Sequence, residues 1–192
     1  PLYSSAASDV YKRQFLLYDF YGPIPIPTLE DLKNPLDEVI EPRATQEEMT
    51  NFIETELTES LKGLPTRTTQ FGRFDKGLAY TILMKYYMHE KNWAKAEECG
   101  RELLKAEYGY GLMDRYADIF TLENEGNKEI IFACTEERGT NLQLWHDHAL
   151  PGNYPTKNAS IQKWDGYKVP WPFYRTFEEG DDRLSVLVGE YV

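Results

Sequence analysis

The first strong periodicity in the chain begins at a helix-capping signal and continues as one apolar stripe. Thr45 and Glu48 have the spacing of a capping box, in which each side chain satisfies a free backbone N–H at the start of a helix. Apolar residues then recur every three or four positions, which predicts an amphipathic helix. We expect Gly63 and Pro65 to end this helix. The stripe consists of Met49, Phe52, Ile53, Leu57 and Leu61.

Two further helices are predicted after a polar loop at residues 66–72. A wide apolar arc predicts a helix from about Asp75 to His89 that packs on more than one side. A short turn leads into a third helix, from about Trp93 to Lys105. Two helices joined by so tight a turn form a hairpin of the tetratricopeptide kind. We expect the third helix to bury Trp93, Ala96, Leu103 and Leu104, and Gly100 to permit a close helix approach.

The segments that flank these helices are irregular. Residues 15–43 contain five prolines, and we expect the Pro-Ile-Pro-Ile-Pro run at residues 23–27 to take an extended path with its isoleucines against the helices. The run from Glu129 to Cys134 predicts a brief buried strand or extended segment. Residues 136–174 show no periodicity, and loops of this length usually serve a function. The predicted fold class is mostly α, with tetratricopeptide-like helical hairpins (an α-α superhelix), a long irregular, loop-rich segment and little β structure.

The chain is expected to form one domain behind an unrelated leader. Residues 1–14 differ in character from everything downstream, and we predict a non-native, assembly-derived leader there. Residues 15–137 are assigned to the helical part of the domain. Residues 138–192 are assigned to an irregular, aromatic-rich part that carries the ligand face. Both ends of the chain are expected to be truncated, so missing targeting signals carry no information about location.

Charge and composition argue against several classes of function. The formal net charge is −11, whereas phosphate backbones and anionic lipid headgroups need Lys and Arg, so we expect no nucleic-acid partner. Cys99 and Cys134 are expected to be small buried hydrophobes rather than a disulfide framework. The histidines form no zinc pattern, and no run is long enough to span a membrane. We predict no metal site, no cofactor and no catalytic residue.

Several short motifs follow one another along most of residues 18–184. The motifs are the proline-rich run at residues 21–28, Pro42-Arg43-Ala44-Thr45, residues 72–79 and 93–96 at two helix starts, Tyr116, Phe120, Glu123-Asn124, residues 129–132, Phe177-Glu178 and Asp181-Asp182-Arg183. In their order and spacing they are similar to the middle of SusD/RagB proteins.

This resemblance implies a non-enzymatic lipoprotein on the extracellular face of the outer membrane of Bacteroidota. Such a protein captures oligosaccharides or polysaccharides, or peptides in some relatives. It delivers them to a SusC-like TonB-dependent transporter. The lipid-bearing cysteine of the family has no counterpart in this chain, so membrane contact is expected only through an anchor outside it.

The aromatic-rich part supplies the candidate ligand contacts. A sugar ring has apolar C–H faces that an exposed indole attracts, and hydroxyl edges that amides and carboxylates bind. Three of the four tryptophans lie here. For each ring the alternative is that it pins the loop down as part of a small core. The candidates are Trp145, Tyr154, Trp164, Tyr167, Trp171, Asn153 and Asp165.

Two other functions stay open at this point. A helical scaffold for protein or peptide ligands would use the same helices without a sugar site, and rings dispersed in the interior would favour it. A glycoside hydrolase would need a pair of carboxylates with separated pKa values. The acidic cluster of Glu178, Glu179, Asp181 and Asp182 crowds into one glycine-containing turn, which favours a solvated loop.

Overall fold

A computed structural model describes residues 13–27, 33, 41–135, 144–157, 160–187 and 189–190. It divides into two compact units. The helical unit comprises Pro1–Gly111 with Ile130–Ala133, and the aromatic unit comprises Leu112–Glu129 with Cys134–Val192. Residues 1–12 of the expected leader, and residues 136–143 of the irregular stretch, lie outside the described residues.

The described residues are helical or irregular, and no strand occurs among them, which confirms the predicted fold class. The helical unit contains α1 (residues 13–21), α2 (Gln46–Ser60), α3 (Lys76–His89) and α4 (Trp93–Leu103), followed by a 3₁₀ turn at Ala106–Tyr108. The aromatic unit contains α5 (Trp145–Ala149), α6 (Trp171–Tyr174) and 3₁₀ helices at Tyr116–Phe120, Leu122–Asn124 and Asp182–Val186.

Helix α2 begins at the predicted capping box. The Thr45 N–H donates to Glu48 Oε2 over 2.8 Å, and the Glu48 N–H donates to the Thr45 hydroxyl over 3.2 Å. The bond from the Thr45 N–H holds the pKa of the Glu48 carboxyl below its ordinary value. Helix α3 is capped by Asp75, whose carboxylate accepts from the N–H groups of Leu78 and Thr68. Asp75 therefore fixes both the start of α3 and the polar loop before it.

The apolar stripe of α2 forms the centre of the core, as predicted. Met49, Ile53 and Leu57 are fully buried. Removing an aliphatic side chain of this size from water contributes about 1.5–3 kcal/mol. The isoleucines of the proline-rich run, Ile24 and Ile26, pack against this core as expected. The partners on α3 and α4 are Leu78, Ile82, Leu83, Tyr86, Tyr87, Ala96 and Cys99.

Helix α1 is joined to the same core by aromatic residues. Phe15 and Tyr18 are buried, and Phe15 meets Tyr86 edge on at 6.3 Å between ring centroids. The Tyr18 hydroxyl donates to Glu90 Oε1 over 2.5 Å. Burial, reinforced by this carboxylate, raises the pKa of Tyr18 to about 12. The Tyr18 hydroxyl thus connects α1 to the carboxylate that follows the last residue of α3.

Two residues expected in the core of α4 are exposed. Ala96, Cys99 and Leu103 make its buried face. Leu104 follows one position later, so it is rotated about 100° from Leu103 and lies past the helix end, in solvent. Trp93 opens the helix at the hairpin turn and is 62% exposed. The prediction for both residues was wrong.

The run from Glu129 to Cys134 forms no strand and is half-buried as far as Ala133, so the strand alternative is wrong. Within it Phe132 packs on Phe74, with ring centroids 5.5 Å apart. Cys99 is buried as expected. Cys134 is exposed, which corrects the expectation that both thiols are buried, because the run reaches the surface at its last residue.

The close approach in the helical unit occurs at Gly77 and not at Gly100. A Cβ on Gly100 would meet only Met84 Sδ, at 3.5 Å, which is ordinary contact. A Cβ on Gly77 would lie 2.8 Å from Tyr110 Cζ. The Tyr110 ring cannot easily yield, because it stacks on Tyr108 at 6.1 Å and lies under the Arg67 guanidinium at 4.8 Å.

These two helical glycines form a matched pair for a stability test. We expect Gly77→Ala to lower the free energy of unfolding by about 1–3 kcal/mol, since the added methyl group overpacks against Tyr110. We expect Gly100→Ala to raise it by about 0.5–1 kcal/mol, because alanine loses less backbone entropy in a helix. Denaturant unfolding of the whole chain, followed by circular dichroism, measures both. A neutral Gly77→Ala or a destabilising Gly100→Ala would contradict the packing described here.

The two thiols are expected to differ in reactivity. Burial raises the pKa of Cys99 to about 11, so little of the reactive thiolate forms and reagents cannot reach it. In mildly alkaline buffer, iodoacetamide should label the native protein at Cys134 alone, as mapped by mass spectrometry. The Cys134→Ser variant should then stay unlabelled until denaturant is added. Equal labelling rates at both positions would show that Cys99 is not packed between the helices.

Candidate functional site

The aromatic unit is organised around a short helix whose carbonyl groups bind a neighbouring segment. Helix α5 has five residues, so its last carbonyls have no partner within the helix. The N–H groups of residues 164–167 donate to them. Trp164 donates to Asp147 O (2.7 Å), Asp165 to Leu150 O (3.0 Å), and Gly166 and Tyr167 to His148 O (2.7 and 3.0 Å).

These hydrogen bonds bring aromatic rings from the two elements into contact. Trp145 and Tyr167 stack with ring centroids 4.9 Å apart and an angle of 22°. The His148 ring meets Trp164 edge on at 4.6 Å and Tyr167 at 5.4 Å. We call Trp145, His148, Trp164 and Tyr167 the ring cluster. Three of its members are candidates from the sequence, and His148 connects Trp164 to the stacked pair.

The ring cluster is open to solvent. Trp145 is 66% exposed, Trp164 47% and Tyr167 52%. Large rings in a protein interior are usually far more buried than this. Rings that are exposed together can receive a ligand on their outer faces, whereas rings dispersed in an interior cannot.

Residues 164–167, which we call the segment, pass close to α5, and two features of their backbone allow this. Asp165 has a left-handed conformation with φ of 55°, which Asp tolerates better than most residues. Its carboxylate pairs with Lys168 at 3.0 Å and stays at the surface. A Cβ on Gly166 would lie 3.3 Å from the His148 carbonyl oxygen, tighter than most contacts of this kind. The lack of a side chain at Gly166 therefore lets the segment approach α5.

The remaining candidates lie outside the ring cluster. Trp171 is exposed on α6 and meets Tyr174 edge on at 5.5 Å, so it forms an aromatic surface of its own. Asn153 is exposed and Tyr154 is half-buried, in the turns after α5. The Tyr154 carbonyl accepts from Lys163 Nζ over 2.8 Å, which joins that turn to the start of the segment.

Sequence reasoning missed two residues of α5. His148 completes the ring cluster, and Asp147 is a carboxylate with only 4% of its surface exposed. Asp147 Oδ1 makes no hydrogen bond to any described residue and lies 3.2 Å from His146 Nε2. A buried carboxylate is costly unless it is paired, and His146 is the basic side chain beside it. The sequence does contain a signal for these residues. In the run Trp145-His146-Asp147-His148, three ionisable side chains directly follow a candidate tryptophan.

The acidic turn has the character of a solvated loop. Asp181 pairs with Arg183 through Nε at 2.9 Å, and this arginine holds the pKa of Asp181 below its ordinary value. Glu178, Glu179 and Asp182 are exposed. Among the residues that the structure describes, no three His, Cys, Asp or Glu side chains are grouped to hold a metal ion, and no helix is long and apolar enough to cross a membrane.

Comparison with solved structures identifies the fold. Surface glycan-binding protein A from Bacteroides uniformis matches 95% of this chain and 40% of its own, with a TM-score of 0.78 and 19% identity. The same-named protein from Bacteroides thetaiotaomicron, in complex with laminarihexaose, matches 92% of this chain and 42% of its own, with a TM-score of 0.63 and 18% identity. A laminarin-binding SusD-like protein matches 67% of this chain and 29% of its own, with a TM-score of 0.56 and 25% identity.

The predicted resemblance to SusD/RagB proteins is thereby confirmed in the fold. No family model matches the chain, and no curated protein is significantly similar to it in sequence. The chain spans about two fifths of the length of the surface glycan-binding proteins it matches, 40% in the Bacteroides uniformis protein.

The exposure of the tryptophans can be tested in solution. All four are exposed, so we expect acrylamide to quench the tryptophan fluorescence of the native protein nearly as well as that of the denatured chain. The measurement is a Stern–Volmer titration of native and denatured protein in parallel. Strong protection of the native fluorescence would mean that the rings of the aromatic unit are packed inside.

Proposed function

Because the chain has the SusD-like fold, we propose that it is part of a cell-surface protein that binds oligosaccharides or polysaccharides through the ring cluster. The observation that carries this proposal is the exposed stack of Trp145 on Tyr167, with Trp164 joined to it through His148. The names of the matched structures support it, since they describe surface glycan-binding proteins and a laminarin-binding relative.

Binding would follow from the two kinds of surface that a sugar presents. The outer indole face of Trp145 or Trp164 attracts the C–H face of a pyranose. Carboxylate and amide groups then accept or donate hydrogen bonds at its edges, with Asp165 on the segment and Asn153 in the turn as candidates. An open surface buries little area per sugar, so each site is weak and several sugar units are needed for useful affinity. Trp171 on α6 offers a further exposed ring for a longer glycan.

No covalent step is needed for this function, and we propose a binding protein rather than an enzyme. The ion-paired and exposed acidic turn provides no buried carboxylate to act as a general acid, which glycoside hydrolysis requires. The proposed partner is a SusC-like TonB-dependent transporter, and the proposed location is the extracellular face of the outer membrane. Both come from the family resemblance. The clustered, exposed rings favour a sugar site over the alternative of a protein- or peptide-binding scaffold without one.

The proposal predicts selective loss of binding in tryptophan variants. In affinity gels that contain laminarin, starch, xylan or mannan, the native chain should be retarded by at least one polysaccharide. Trp145→Ala and Trp164→Ala should each weaken that binding about 2- to 10-fold, since an aromatic contact contributes about 0.5–1.5 kcal/mol.

Trp93→Ala is the matched control, because Trp93 is as exposed as Trp145, at 62% against 66%, but lies in the helical unit. Its migration should equal that of the native chain in every gel. If no polysaccharide retards the native chain, or if all three variants lose binding equally, a sugar site at the ring cluster is ruled out.

A further inference from the structure

We propose that His148 contacts the glycan directly and hydrogen-bonds one sugar hydroxyl at the centre of the ring cluster. This inference rests on the proposed function and adds a residue that determines which hydroxyl pattern is accepted. The ligand class it implies is a neutral pyranose with a free hydroxyl beside the face that stacks on the aromatic rings.

The position of His148 is the first argument. Its carbonyl oxygen accepts from both Gly166 and Tyr167, so the backbone at this residue is held at the crossing of α5 and the segment. Its ring lies against Trp164 and Tyr167. A sugar that stacks on either ring would therefore bring its hydroxyl edge to the imidazole.

The second argument is unused hydrogen-bonding capacity. His148 is exposed, and its ring nitrogens form no hydrogen bond or ion pair with any other described residue. A neutral imidazole has one donor and one acceptor nitrogen, and a sugar hydroxyl can both donate and accept. The backbone of Gly166 lies near Nδ1 of the His148 ring, since a Cβ built on Gly166 would be 3.9 Å from this nitrogen. The ring is thus held between Trp164, Tyr167 and the Gly166 backbone, in a residue that stays exposed to solvent.

His146 provides the contrast within the same helix. Its Nε2 lies 3.2 Å from the buried Asp147 carboxylate, so its polar edge faces another protein side chain. It makes no ring contact with any described member of the ring cluster. The two histidines of this short helix therefore differ: His146 lies beside a buried carboxylate, and His148 lies in the ring cluster, where we place the ligand.

The test replaces the imidazole with a ring that cannot hydrogen-bond. His148→Phe keeps an aromatic contact with Trp164 and Tyr167 but removes both polar nitrogens. The ligand is the polysaccharide that retards the native chain most in the laminarin, starch, xylan and mannan gels. We expect the affinity of His148→Phe for it to be about 3- to 10-fold lower, because the variant loses about one hydrogen bond. The control His146→Gln removes an imidazole from the same helix and should keep native affinity. Equal losses in both variants would assign the effect to the helix and overturn the inference.

A second measurement follows the native protein and uses the variant only to assign signals. The imidazole nitrogen signals of His148, assigned by their disappearance in His148→Phe, should shift in nuclear magnetic resonance spectra when oligosaccharides of the same polysaccharide are added. Those of His146 should not. If Trp145→Ala loses binding while His148→Phe keeps it, or the His148 signals do not move, this inference fails and the proposed function stands. If the native chain binds no polysaccharide, both fail.

Discussion

The candidate site depends on hydrogen bonds between a helix that is too short to satisfy its own carbonyls and a segment that is too irregular to satisfy its own N–H groups. Helix α5 and the residue that follows it leave the carbonyls of Asp147, His148 and Leu150 available, and residues 164–167 supply four consecutive donors. Each bond contributes about 0.5–1.5 kcal/mol net, and leaving the same groups buried without a partner would cost more. Because side chains leave the backbone at fixed angles, this pairing sets the positions of Trp145, Trp164 and Tyr167.

The helical unit is held by a different kind of interaction. Its core is a continuous apolar contact between the stripe of α2 and the α3–α4 hairpin, and side-chain caps at Thr45, Asp75 and Asn92 fix where these three helices begin. Tyrosines extend this core to the edge of the unit. Tyr108 is almost fully buried, its hydroxyl donates to Glu102 over 3.3 Å, and Tyr110 stacks on it beneath Arg67. Apolar burial is not directional, so the helical unit depends on a pattern of residue types, whereas the aromatic unit depends on individual bonds.

This difference explains what could be predicted from the sequence. The capping box at Thr45 and the stripe through Met49, Ile53 and Leu57 are local, periodic signals, and each is found as expected. The exposure of Trp93 depends on where α4 begins, and the contact at Gly77 depends on the Tyr110 ring, 33 positions away; periodicity encodes neither. In the aromatic unit, composition could indicate the tryptophans. It could not indicate His148, because its place in the ring cluster follows from backbone bonds between residues that are far apart in sequence.

If the ring cluster binds a sugar as proposed, its construction gives it a physical advantage, because the hydroxyls of a sugar already bind water well. The gain from stacking is small, so the rings must not lose much side-chain freedom when the ligand arrives. In the ring cluster that freedom is already restricted in the free protein, since Trp145 stacks on Tyr167 and His148 lies against both Tyr167 and Trp164. The outer faces stay in solvent because the inner ones are occupied by neighbouring rings. Exposed aromatic area and restricted ring motion, which usually exclude each other, are thereby present at the same place.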